Sequence, residues 1–196
     1  MAFEQYITII QQNKYIYSLS LLGFFYILSQ LAVIISRKVI LRLARKTATE
    51  IDDQIVGRTS KPISLILLLI GFRLALFPLG IKQSILDLIE HGISSLIIIL
   101  VTYIVIAVFD ISIDGWGKRV AERTKSSVDE QLLPVFHRFS RIFVLIIGLL
   151  FILPVWGIQI GPLLASLGIV GVAVAFALQN TLGNIFGGMS IILDKS

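Results

Sequence analysis

The chain has no cysteine, two histidines and only 15% charged residues. Without cysteine it can form no disulfide, hold no thiolate-bound metal and offer no thiol nucleophile. His91 and His137 are too few and too separated to nominate a metal site. No carboxylate pair, nucleophile–base set or phosphate-binding loop stands out, so neither an enzyme nor a cofactor is expected. The glycines of GVAVAFALQNTLG are scattered through an apolar stretch instead of following a soluble strand, so a nucleotide-binding reading fails. The opening MAFEQYITIIQQNK lacks a basic leader and a small-residue cleavage site, and the first apolar segment is expected to be retained. Charge is missing altogether from residues 142–193, between Arg141 and Asp194.

What fills the chain instead is hydrocarbon: 56% of residues are hydrophobic and the mean hydropathy is +0.92. That is an integral membrane protein. A bilayer core of about 30 Å takes about 20 helical residues, so the uncharged run is too long for one crossing. It must fold back, and Pro154, Gly157, Gly161 and Pro162 mark the turn. The apolar segments are residues 15–36, 62–81, 91–109, about 142–156 and about 162–179. An all-α membrane protein with five transmembrane helices is expected.

Charge in the connectors orients them. Arg37, Lys38, Arg42, Arg45, Lys46, Arg58 and Lys61 lie between the first two segments. Lys118, Arg119, Arg123, Lys125, Arg138 and Arg141 lie between the third and fourth. The remaining connectors hold little beyond Lys82, beside Asp87 and Glu90. Because Lys and Arg stay cytoplasmic, the N-terminus is expected outside and the C-terminus inside. The net charge of +5 then reflects topology and membrane lipids, not nucleic acid.

Part of the chain repeats. LARKTATEIDDQIV (residues 43–56) resembles VAERTKSSVDEQLL (residues 120–133) at an offset of 77 residues. At the same offset Ile70-Gly71 matches Ile147-Gly148, and Gly80-Ile81 matches Gly157-Ile158. Each unit holds two crossings, so the copies would share one orientation. This suggests a division into residues 1–160, four helices with a parallel internal repeat, and residues 161–196.

The last segment differs in kind. On a helix, Gly168, Val172, Phe176 and Gln179 share one stripe at spacings of three and four, extended by Ala165 and Ile169. Gly171, Ala173, Ala175 and Ala177 flank it, and small residues such as these, with Ala165 and Gly168, let helices approach closely in lipid. Copies around an axis would place Val172 and Phe176 in an apolar lumen, and apolar constrictions gate by dewetting. Packing of the same helix inside a monomeric bundle is the equal alternative on spacing alone. After Gln179 come Asn180, Thr181, Gly183 and Asn184, poor helix formers. A kink near Asn180–Gly183 followed by a short interfacial helix is expected.

The Gly/Ala-rich segment, the ALQN of residues 177–180, Leu182, Asn184, Gly188 and the terminal ILDK resemble the small-conductance mechanosensitive channel family over roughly the last 35 residues. The resemblance implies a homo-oligomer, a heptamer, whose last transmembrane helix lines the pore. It also implies lipid-facing helices that sense tension, and release of ions and small solutes on hypo-osmotic shock. The family's hydrophobic gate positions fall on Val172 and Phe176, where the best-known members carry Leu, and Phe176 would narrow or retune the gate. Its hinge falls on Asn180, where those members have Gly, within a candidate hinge region of Gln179, Asn180, Gly183 and Gly188. The family continues into a cytoplasmic β-domain and vestibule, whereas this chain ends at Ser196, which suggests a truncated product. A bacterial or organellar inner membrane is the expected location.

Arg73 is the only charge inside an otherwise apolar segment and an intramembrane charge is a functional candidate; a lipid-facing guanidinium snorkelling outward is the blander reading. Asp110 and Asp114 are expected to face water, and Trp116 and Trp156 to anchor at interfaces. Two other classes compete with a channel. A secondary transporter would need midplane polar residues, and only Arg73 offers one; a membrane scaffold or accessory subunit would need little more than the basic loops.

Overall fold

The computed structural model describes residues 13–43, 51–123 and 128–194. Helices account for nearly all of these residues: α1 (Lys14–Leu43), α2 (Ile51–Leu76), a 3-10 turn (Phe77–Leu79), α3 (Gln83–Arg123), α4 (Val128–Val155) and α5 (Gly161–Asp194). Each contains a stretch long and apolar enough to cross a membrane, five candidates among the described residues. The helices outrun the apolar segments that announce them. α3, with 41 residues, is about 61 Å long at 1.5 Å per residue, twice a bilayer core. The third apolar segment, 91–109, is therefore only the middle of its helix, because polar helix formers continue the backbone hydrogen bonding where hydropathy falls.

The chain separates into two compact units, Met1–Trp156 and Gly157–Ser196. In the first, α1 packs on α2, α2 on α3 and α3 on α4, so the helices form two antiparallel hairpins, α1–α2 and α3–α4. Close approach within each is set by a glycine. A methyl group added at Gly71 would strike the Phe25 side chain, and one added at Gly148 would strike Thr102. Absence of Cβ is what brings these backbones together. Hydroxyl groups on these helices are satisfied locally: Ser18, Ser95 and Thr102 each donate to the carbonyl four residues back, which removes the cost of an unpaired donor in an apolar setting.

The 77-residue offset recurs in this packing. Phe25 and Gly71 are contacting partners, as are Thr102 and Gly148, and both members shift by that interval. Lys14 Nζ donates to the Leu79 carbonyl at 3.4 Å, and at the equivalent positions the rings of His91 and Trp156 lie 5.6 Å apart. Each hairpin is followed by a left-handed glycine, Gly80 (φ 64°) and Gly157 (φ 75°), a conformation open to glycine without the Cβ clash. Residues 44–50 and 124–127 of the repeated basic segments lie outside the described residues.

α5, described by itself, is a single helix of 34 residues. It opens on Gly161 and Pro162, where proline's missing N–H costs nothing in the first turn, and the Leu164 amide donates to the Ile160 carbonyl at 2.9 Å. The separate second helix expected after Asn180–Gly183 is not a separate element. Asn and Gly each disfavour a helix by no more than about 1 kcal/mol, and the surrounding Leu, Ile, Phe and Met residues carry the turn through.

Candidate functional site

Two regions hold the residues with functional potential. The first is α5. From Gly161 to Ile191 every side chain is exposed, including Val172 at 56% and Phe176 at 71%. Val172, Ala175, Phe176, Gln179 and Leu182 line one continuous hollow of about 360 Å³ along the helix surface. These positions follow three- and four-residue steps, so they share a face. Ala175, expected to flank the stripe, lies in it, and Leu182 extends it by a turn. A Cβ added at Gly168, Gly171, Gly183 or Gly188 would meet nothing within 4 Å. Ala165 and Ala173 are likewise exposed, and so are Gln179 and Asn180 of the candidate hinge. The helix carries no charge until Asp194.

The second region is the polar equipment of the helix hairpins. Arg73 lies in the last turn of α2, three residues from its end, not in the middle of the span as its place in the apolar segment suggested. Its Nη2 meets Glu90 Oε2 of α3 at 3.3 Å, with both side chains partly exposed. The pair links two helices near their turn. Arg73 is therefore not a lone charge of the kind a substrate site would use. Trp156 Nε1 donates to Ser95 Oγ at 3.0 Å, tying the end of α4 to α3; the Trp116 side chain lies outside the described residues.

At the other end of the second hairpin, Asp110 and Asp114 do not both face water. Asp110 is 5% exposed, because His137 and Arg141 of α4 close over it. His137 Nδ1 lies 2.9 Å from Asp110 Oδ1, and Arg141 donates from Nε at 3.2 Å and Nη2 at 2.9 Å to Oδ2. Asp114 Oδ1 lies 2.9 Å from His137 Nε2. This cluster borders a cavity of about 900 Å³, also lined by Arg58 and Arg138. Sequence reasoning missed it. The available signal was Asp110 and Asp114 one helical turn apart, matched by His137 and Arg141 at the same spacing. Among the described residues no group of three or more His, Asp or Glu side chains is arranged to hold a metal ion.

Residues 138–179, the body of α4 and the first half of α5, match the family described as mechanosensitive ion channel, transmembrane helices 2/3. The chain is 30% identical over 187 residues to the large-conductance mechanosensitive channel MscMJLR of Methanocaldococcus jannaschii, covering 93% of this chain and 51% of that protein. It is 29% identical over 177 residues to the small-conductance mechanosensitive channel MscMJ of the same organism, covering 90% of this chain and 50% of that one. A MscS family protein of Aquifex aeolicus is 30% identical over 187 residues, with coverages of 93% and 49%. The chain thus spans about half the length of the curated relatives it matches. No solved structure matches it significantly.

Proposed function

Because this chain belongs to the small-conductance mechanosensitive channel family across its transmembrane region, we propose that it supplies the membrane-spanning part of a tension-gated ion channel. Copies of α5 surround an axis in a homo-oligomer, a heptamer by resemblance, with the Val172–Phe176 face toward the lumen. The observation that carries this reading is α5 itself, a long helix without charge before Asp194 whose apolar face is built around Val172 and Phe176. A dry constriction at those two residues holds the closed pore free of water, and widening lets water and ions enter together.

In this reading α1–α4 face lipid and take up tension. Arg37 through Lys61 and Lys118 through Arg141 lie on the cytoplasmic side, with the N-terminus outside and the C-terminus inside. Gly168, Gly171 and Ala173 give neighbouring copies room to slide. The stretch from Gln179 through Asn180 and Gly183 to Gly188 is where α5 bends as the ring assembles. Opening on hypo-osmotic shock would release ions and small solutes from the cell. The transporter alternative loses its main support, since Arg73 is paired with Glu90.

The test is electrical. Chain reconstituted in liposomes and excised under suction should pass current above a threshold tension. Saturable uptake without such current would replace the reading with a transporter, and neither activity would leave a scaffold.

A further inference from the structure

Nothing in the channel reading uses the Asp110–Asp114–His137–Arg141 cluster. An ionised carboxylate only accepts hydrogen bonds, while a neutral imidazole carries one N–H and one lone pair. His137 presents both ring nitrogens to carboxylate oxygens at 2.9 Å, Nδ1 to Asp110 and Nε2 to Asp114. Both contacts are hydrogen bonds only when the ring donates twice, as the imidazolium. Among the described residues, the other charged groups facing this site are Arg141 and Arg138 from α4 and Arg58 from α2. Arg141 is held by Asp110.

The first hairpin provides an internal comparison. At the 77-residue offset, Asp110, Asp114, His137 and Arg141 correspond to Val33, Arg37, Ser60 and Ser64. Ser60 there turns back to its own helix and donates to the Val56 carbonyl. Two helices with the same glycine-centred packing therefore pair without this cluster, so pairing alone does not require it.

We propose that His137 is a proton-operated clasp between α3 and α4. Carrying both ring protons, it binds Asp110 and Asp114 at once. When one proton leaves, a ring lone pair faces a carboxylate lone pair, and one of the two links becomes repulsive. Asp110 keeps Arg141 and is buried, so Asp114, half exposed, is the partner that turns to water and loosens this end of the hairpin. The clasp is read from distances within the hairpin; only its effect on gating rests on the channel reading.

The sequence makes a clean test possible. It has no cysteine, and its other histidine, His91, sits at the opposite end of the hairpin beside Trp156. Nitroxides at Ser112→Cys and Phe136→Cys, both exposed, report the clasp end; nitroxides at Leu96→Cys and Phe151→Cys, also exposed, report the other. Labelled chain is diluted with unlabelled chain in liposomes and brought from about pH 5 to about pH 9, a range that spans imidazole titration. The clasp-end distance should shift to longer values while the other pair stays fixed. His91→Gln should keep the response. His137→Gln, which has no titrating proton, should lose it. Asp114→Asn should also lose it, because a carboxamide can either donate or accept and stays bonded to the ring in both states. A clasp-end distance that ignores pH in the native sequence, or a response that survives in His137→Gln, overturns the proposal. A pH-responsive distance in a chain that passes no suction-activated current would overturn the channel reading and leave the clasp standing.

Discussion

Adding one methyl group at Gly148 should separate α3 from α4. The Cβ of Gly148→Ala would lie 2.8 Å from Thr102 Cγ2 and 3.2 Å from Thr102 Cβ, against a favourable carbon–carbon separation of about 3.5–4.0 Å. Thr102 cannot simply turn away, because its hydroxyl donates to the Ile98 carbonyl at 2.8 Å, a bond worth about 1 kcal/mol. Overpacking of this kind costs about 1–3 kcal/mol. Alanine's better helix propensity returns up to about 1 kcal/mol. The net expectation is a loss of roughly 1 kcal/mol in hairpin stability, read from unfolding of the chain in mixed detergent. Gly168→Ala and Gly171→Ala, where an added Cβ meets nothing within 4 Å, should leave the same measurement unchanged or slightly raised. Thr102→Ala should relieve the clash, so the double variant with Gly148→Ala should be more stable than the sum of the single effects. Additive effects, or a Gly148→Ala chain as stable as the native one, would refute the close-approach argument.

If Phe176 holds a dry constriction, Phe176→Ser should let water persist there, slow growth and lower the suction needed to open channels in patches; an unchanged threshold at normal expression would take Phe176 out of the gate. Ala173→Val, beside the lumen face, should impede sliding of neighbouring helices and raise the threshold. Thr49→Cys and Ser126→Cys should react with a membrane-impermeant thiol reagent only in inverted vesicles, and Gln83→Cys and Gln159→Cys only in intact cells. Labelling of Thr49→Cys from outside would reverse the orientation drawn from the cations.

Much of the architecture was legible because hydropathy is local and additive. Whether a stretch such as 91–109 leaves water depends on its own side chains, and no partner needs to be known. Helix ends were less legible, since Gln83–Arg123 continues through residues that hydropathy assigns to water. The α5 face was visible as spacing, because residues three and four apart share a face in any helix, and the structure added Ala175 and Leu182 to it.

By itself, the sequence determined the membrane class, the five apolar segments and the uncharged stripe of α5, all consequences of composition and of a helical period. It also displayed Gly71 and Gly148 at one offset, but not what they admit. Only the tertiary structure decided that Phe25 and Thr102 fill those gaps, that Arg73 reaches Glu90, and that Asp110 is buried beneath His137 and Arg141. Each of those pairs joins residues on different helices. Their meeting depends on how far one helix is rotated and slid against the next, a choice made by packing and not by the hydropathy of either helix alone.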